Sequence, residues 1–419
     1  MRGTGPNEGW LPLRALVLGL GATGRAAAVA LARRGVNVVG ADRSRDVGAA
    51  AGRLAAAGVE LRLGSEEESL LEGVELVVKS PGVPIESPLA AAARARGVPL
   101  WSEIELGYRL LHGNPLVGVT GTKGKTTTVR LLGAMFAADE RPAALAGNEH
   151  EPLSEIAGRV DDETWIVCEL SSFALEDVHT LACDVAVLLN VEPDHLDRHR
   201  SFAGYRRAKL RIFERARIGV VPRGMGLEGI EFAADDPLPA EPLMPGAHNR
   251  ANAAAATAAA RAAGLGDEAI AEALRTFPGV PHRLELVREL RGVRYVNDSK
   301  ATNTAAARRA VAAYDAPLRV ILGGSLKGED FTALARELPP TVRSVYLIGE
   351  ATEQLAAVLD DAARSYSRDG DLARAIAHAA AEAQPGDVVL LSPACASYDQ
   401  FDNFEQRGDT FRQLVQELA

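Results

Sequence analysis

The sequence predicts an α/β protein of three wound domains, covering 1–112, 113–280 and 281–419. Three observations predict it. The chain has 419 residues, more than one hydrophobic core normally serves. Short apolar runs bounded by glycine alternate with alanine-rich helical stretches along its length. Such runs read as parallel strands covered on both faces. Turn-forming clusters at Gly113-Asn114-Pro115 and Pro278-Gly279-Val280-Pro281 mark the two joints.

In the first domain, Ala15–Gly19 reads as a strand, Thr23–Arg34 as a helix and Val36–Ala41 as a strand. Glu75–Lys79 is a further strand, stopped by Ser80-Pro81-Gly82. Gly19, Gly21 and Gly24 complete a G-x-G-x-x-G turn between strand and helix, and Asp42 ends the next strand. This is a Rossmann-like pattern. Its tight turn lets a pyrophosphate sit on a helix N-terminus. The pattern does not separate NAD from a nucleotide-sugar, so an NAD-dependent dehydrogenase remains open.

The second domain starts with the strand Leu116–Thr120, followed by Gly121-Thr122-Lys123-Gly124-Lys125-Thr126-Thr127 and a helix from Lys125. That order is the order of a phosphate loop. Gly121 and Gly124 let backbone N–H groups face phosphate oxygens, Lys125 reaches the β- and γ-phosphates, and Thr126 holds Mg²⁺. Val119 takes the place of the first glycine of the full pattern. The domain is therefore expected to be P-loop ATPase-like. Trp165–Leu170 and Val185–Asn190 read as buried strands, Phe202–Arg215 and Asn249–Ala263 as helices, and 222–245 as irregular or short-strand structure. Glu169, at a strand end beside a phosphate loop, is a candidate Mg²⁺ ligand; a helix N-terminal charge is the alternative. Asn190-Val191-Glu192-Pro193-Asp194-His195-Leu196-Asp197 gathers a histidine and three acids, either for ligand or acid–base chemistry or as a solvated turn.

The third domain opens with a hairpin, Leu286–Leu290 and Val293–Val296, turning at Arg291-Gly292. Strand signals at Arg319–Leu322, Val345–Ile348 and Val388–Leu391 alternate with helices, again a Rossmann-like winding.

A net charge of −10 argues against a nucleic-acid partner. No apolar stretch reaches the ~18 residues of a membrane span, and no basic amphipathic segment suggests a membrane surface. Three dispersed cysteines form neither a metal pair nor a disulfide framework. No leader pattern precedes the first strand. A cytoplasmic monomer acting on small molecules is expected. Only six of the 46 basic residues are lysine: Lys79, Lys123, Lys125, Lys209, Lys300 and Lys327. Where arginine is the default cation, a retained lysine marks a site that a guanidinium cannot serve.

The phosphate loop, Glu169-Leu170-Ser171-Ser172-Phe173 and the 190–197 cluster, in this order, resemble the Mur ligase family. Asn297-Asp298-Ser299-Lys300-Ala301-Thr302-Asn303 and the stretch from Ser392 to Phe401 resemble its D-glutamate-adding members. The resemblance spans nearly the whole chain. It implies an ATP-dependent amide ligase that joins D-glutamate to UDP-N-acetylmuramoyl-L-alanine through an acyl phosphate, in peptidoglycan precursor synthesis. It also implies site residues. Gly19, Gly21, Thr23, Gly24, Asp42, Ser80, Pro81, Gly82 and Asn148 would bind the UDP precursor. Gly121, Thr122, Lys123, Gly124, Lys125, Thr126, Thr127, Asn249, Asn252, Arg283 and Asp298 would bind ATP. Lys300, Thr302, Lys327, Ser397 and Phe404 would hold D-glutamate. Two Mg²⁺ ions would use Thr126, Glu169, His195 and a Lys209 carbamylated by CO₂. Lys125, Lys209, His195 and Lys300 would carry the catalysis, so Lys→Arg is expected to be damaging at 125, 209 and 300, and mildest at 79 and 123.

The chain departs from the family pattern in three places. Glu149-His150 stands where Ile-Gly is common, Ser325 stands where an acid is common, and the segment between Lys209 and His248 is short. A folate-type ligase also remains open, although such an enzyme would not need the Gly19–Gly24 turn.

Overall fold

The computed structural model describes residues 8–419 apart from Pro245 and Lys327. The strands form three sheets. The first contains β1 (Arg14–Leu18), β2 (Asn37–Asp42), β3 (Glu60–Leu63), β4 (Leu76–Lys79) and β5 (Leu100–Ser102), in the order β3-β2-β1-β4-β5, all parallel. The second contains β6 (Leu116–Thr120), β7 (Ala143–Gly147), β8 (Trp165–Glu169), β9 (Val185–Leu188), β10 (Ile218–Pro222) and β11 (Ile230–Phe232). Its order is β11-β10-β9-β6-β8-β7, again all parallel. The third contains β12 (Glu285–Leu290), β13 (Val293–Asn297), β14 (Leu318–Gly323), β15 (Val342–Ile348), β16 (Tyr366–Gly370) and β17 (Val388–Leu391), in the order β12-β13-β17-β14-β15-β16. Only its β12–β13 hairpin is antiparallel among the described strands.

Both faces of the third sheet are covered. Val320, Leu322 and Leu390 pack into one core, and Ile321, Val389 and Leu391 into the other. This is why the central strands read as unbroken apolar runs. The edge strands β3, β5, β7 and β16 gave no such signal. β3 is Glu-Leu-Arg-Leu with alternate residues exposed, and β16 is Tyr-Ser-Arg-Asp-Gly. β10 is interior but carries Gly219 and Pro222. The helix expected over 202–215 stops at Leu210 and tightens into a 3₁₀ turn, Arg211–Phe213. The short segment after Lys209 still supplies β10 and the three-residue β11.

The chain divides into two compact units. One runs to Glu241 and includes Ala251–Arg275; the other comprises Pro242–Arg250 and Thr276–Ala419. The first two sheets thus share one unit, and buried carboxylates join them. Glu103 accepts hydrogen bonds from Ser154 N and Oγ, both at 2.7 Å. Glu105 accepts from His179 N at 2.8 Å and from Thr180 Oγ1 at 2.6 Å. Among the described residues no helix is long and apolar enough to cross a membrane.

In each sheet, neighbouring strands lead their connections to opposite sides at one point, and the crevice beyond the carboxyl ends opens there. In the first sheet that point is β1–β4, in the second it is β6 between β8 and β9, and in the third it is β17 between β13 and β14. The sequence motifs fall at these three strand ends.

Candidate active site

The first crevice is a pocket of about 320 Å³. Gly19, Gly21, Thr23, Asp42, Ser80 and Gly82 are among its lining residues. Gly24 underlies it. Ser80 Oγ donates to Gly19 O at 2.8 Å, and a Cβ on residue 24 would lie 1.8 Å from that same carbonyl oxygen. Only glycine permits this packing. Asp42 accepts from Leu20 N at 2.6 Å and from Ser44 N at 2.8 Å. Its carboxylate therefore holds the glycine turn itself, whereas in an NAD site the equivalent acid takes the ribose hydroxyl.

The phosphate loop leaves β6 at Thr120. Gly124 caps the helix Lys125–Ala138 at φ 86°, and a Cβ there would lie 2.2 Å from Asn252 Oδ1. Lys125 Nζ donates to Gly121 O at 3.0 Å and Thr122 O at 3.1 Å. Thr122 Oγ1 is 3.0 Å from Tyr205 Oη, and Lys123 N donates to Asn190 Oδ1 at 2.9 Å. The Lys123 ammonium pairs with Glu192. Thr127 lies in the first helical turn.

Glu169 ends β8, next to β6. It is 1% exposed. Burial raises its pKa, opposed by the Lys125 ammonium and by hydrogen bonds from Thr126 and Asn148. Its Oε1 accepts from Asn148 Nδ2 at 3.2 Å, and its Oε2 is buried with no hydrogen-bond partner. An orphaned carboxylate oxygen beside a phosphate-loop threonine suits a hard divalent ion, which such sites hold with few protein ligands plus phosphates and water. Asn148 is therefore placed at Glu169, outside the lining of the first crevice.

Lys209, in the last turn of the helix Phe202–Leu210, is 1% exposed. Its Nζ donates to Gly121 O at 2.7 Å and lies 4.7 Å from the Tyr205 ring centroid. Burial, then the Lys125 charge, pushes its pKa down to about 7. His195 is half-exposed, sits at φ 50°, and packs its ring against Phe173 at 4.9 Å. Among the described residues no group of three His, Cys, Asp or Glu side chains forms a ready metal cage.

A polar network ties this region to the Ser80-Pro81-Gly82 turn. Arg198 Nη1 donates to Pro81 O at 2.9 Å, and Arg198 Nη2 donates to Val83 O and Glu176 Oε2, both at 3.0 Å. Lys79 Nζ lies 3.1 Å from Asp177 Oδ2, 3.5 Å from Glu176 Oε2 and 3.2 Å from Val83 O. Lys79 is 1% exposed, so Lys79→Arg, which puts a larger guanidinium into that enclosure, is expected to be destabilising rather than mild.

In the second unit, Asp298 is buried; it accepts from Ser392 Oγ at 2.8 Å and Leu284 N at 3.2 Å. Burial pushes its pKa up to about 7, against the nearby Arg283 charge. Lys300 Nζ lies 4.0 Å above the Phe404 ring, and Thr302 N donates to Lys300 O. Ser397 is buried on the neighbouring loop. Ser325 Oγ accepts from Tyr398 N at 3.1 Å, so this departure from the family pattern pins the loop that carries Ser397. Asn249 is buried on the helix Ala247–Ala262. Lys327 lies outside the described residues.

Three stretches of the chain match known domains: residues 13–102 the MurD-like N-terminal domain of Mur ligases, 119–226 the Mur ligase middle domain, and 282–395 the Mur ligase glutamate ligase domain. A UDP-N-acetylmuramoylalanine--D-glutamate ligase of Sphingopyxis alaskensis is 42% identical over 437 residues, 97% of this chain and 98% of that protein. One of Acidobacterium capsulatum is 39% identical over 447 residues, 96% of each chain. The chain belongs to the Mur ligase family. The crystal structure of UDP-N-acetylmuramate-alanine ligase MurC from Thermotoga maritima shares the Mur ligase fold at TM-score 0.57 and 17% identity, covering 96% of this chain and 99% of that one. E. coli FolC, solved with DHPP and ADP, does so at TM-score 0.54 and 19% identity, covering 81% and 100%.

Sequence reasoning about this Mur ligase passed over three residues: Tyr205, Arg198 and Arg407. Tyr205 lies one helical turn before Lys209, and that spacing could have revealed it. The other two owe their placement to partners distant in sequence, which no local pattern carries. Arg407 is fully buried. It donates to Ser299 Oγ and O at 2.9 Å, Ala396 O at 3.0 Å and Cys395 O at 3.1 Å. It thereby knits the loop bearing Lys300 to the loop bearing Ser397.

Proposed function

We propose that this Mur ligase uses ATP to join D-glutamate to UDP-N-acetylmuramoyl-L-alanine, as a cytoplasmic monomer serving peptidoglycan synthesis. One observation carries the reading. The phosphate loop, Glu169 and the buried Lys209 converge at the carboxyl end of β6, in a chain that matches D-glutamate ligases from end to end. The first crevice takes the uridine diphosphate on the Gly19–Gly24 turn, with Ser80, Pro81 and Gly82 closing it. Lys125 and the loop N–H groups hold the β- and γ-phosphates. Asn252 and Asn249 serve the adenine, and Arg283 and Asp298 the nucleotide. Lys300, Thr302, Lys327, Ser397 and Phe404 receive D-glutamate.

The alanine carboxylate oxygen attacks the γ-phosphorus, and ADP leaves. The D-glutamate amine then attacks the acyl carbon of the resulting acyl phosphate, loses a proton, and inorganic phosphate departs. Charge spreads over the transferred phosphoryl group, and the fixed donors of the loop are already aimed at it. Thr126 and Glu169 would hold Mg²⁺, which would supply Lewis-acid neutralisation of that charge. Burial and the Lys125 charge push the Lys209 pKa down to about 7, so far more of this amine is neutral at neutral pH than of an exposed lysine, and a neutral amine can add to CO₂. That addition releases a proton, and the carbamate so formed, with His195, would hold a second ion.

The test is phosphate release from ATP with UDP-N-acetylmuramoyl-L-alanine and each amino acid of a panel. Release with D-glutamate and none with L-glutamate is expected. Equal release with both, or none with either, refutes the reading.

A further inference from the structure

In the loop after β7 the structure leaves two buried polar atoms facing each other. β7 pairs in parallel with β8, so Gly147 lies opposite Glu169. A tight turn follows, with His150 N donating to Gly147 O at 2.8 Å and Asn148 N donating to Glu169 O at 3.2 Å. The turn brings two side chains to one carboxylate. Asn148 takes Oε1, as described. His150 Nε2 stands 3.6 Å from Glu169 Oε2, with the two side chains 7% and 1% exposed. Neither atom has another hydrogen-bond partner.

Buried polar atoms without partners are few in native proteins, and a hydrogen bond between these two would satisfy His150 Nε2 while leaving Glu169 Oε2 a second lone pair for the cation. A displacement of about half an ångström makes Nε2–H···Oε2 an ordinary hydrogen bond. Asn148 and His150 then grip one oxygen each, and the carboxylate plane is fixed. A glycine at 150 would offer no side chain for the second grip.

We propose that His150 is a positioning residue that orients Glu169 for its divalent cation without itself touching the metal. The inference rests on Glu169 being the metal ligand of the phosphate site. Partners of this kind typically contribute 10–100-fold to metal affinity.

The probe is Mn²⁺, titrated by electron paramagnetic resonance into the full chain with a non-hydrolysable ATP analogue. His150→Ala is expected to weaken Mn²⁺ binding by about 10–100-fold. His150→Gln, whose amide N–H reaches a similar point, should restore most of it. His150→Gly should behave as His150→Ala and takes its place if the alanine variant does not fold. Unchanged Mn²⁺ affinity in the Ala or Gly variant overturns the proposal, as does a Gln variant no better than Ala. Nitrogen hyperfine coupling that vanishes with His150 also overturns it, because the ring would then be a direct ligand. If the unaltered chain with nucleotide binds no Mn²⁺, the assignment of Glu169 fails first, and the proposal falls with it.

Discussion

Lys209→Met is expected to abolish turnover and, at low pH, to stabilise the protein. The amine is buried against Gly121 O, and its pKa falls from 10.5 to about 7 on folding. Between those values the unfolded chain binds more protons than the folded one. Stability therefore rises with pH across that window, and the full penalty of burying the ammonium is present below about pH 7. Integrated from pH 6 to pH 9, the native protein gains about 2–3 kcal/mol from this group, at about 1.36 kcal/mol per unit. Methionine fills a similar volume and does not titrate. The lost bond to Gly121 O is a constant offset, so it leaves the pH slope untouched. The assay is urea unfolding of both chains in CO₂-free buffer at pH 6, 7.5 and 9. The unaltered chain should gain about 2–3 kcal/mol on the variant over that range. Parallel pH profiles would show that Lys209 is not a depressed-pKa amine, and the route to its carbamate would lose its physical basis.

Three further outcomes follow from other residues. Lys125→Ala should lower kcat by several orders of magnitude, and phosphate release near the normal rate would refute the phosphate-loop assignment. Lys79→Ala removes one partner of a buried charge cluster and should cost about 3–5 kcal/mol in urea unfolding, with Lys79→Arg also destabilising and Lys123→Arg close to neutral. Arg407→Met strips the shared donor from two substrate loops, so it should raise KM for D-glutamate by about tenfold or more while KM for ATP changes little; an unchanged D-glutamate KM would contradict that role.

The motifs were legible because phosphate-binding chemistry is local. Gly121 to Thr127 is a strand, a turn and a helix start in consecutive residues, and β6 and the helix from Lys125 lie where the pattern puts them. The central strands were legible because both of their faces are buried. What the sequence hid is long-range. Lys79 reads as an ordinary strand-end lysine until Glu176 and Asp177, about a hundred residues away, close around it. Arg407 meets Ser299 and His150 meets Glu169 only once their sheets have formed. Ser325 looked like a missing acid; in the fold it is a loop pin. Edge strands such as β16 are polar because one side meets water, so their sequence carries little periodic signal.

The central claim is that ATP activates the alanine carboxylate before D-glutamate attacks. Transfer of ¹⁸O tests it most directly. UDP-N-acetylmuramoyl-L-alanine carrying ¹⁸O in both carboxylate positions, incubated with ATP and D-glutamate, should yield inorganic phosphate holding one ¹⁸O per amide formed. Amide product accompanied by unlabelled phosphate would contradict the acyl-phosphate route and the account built on it.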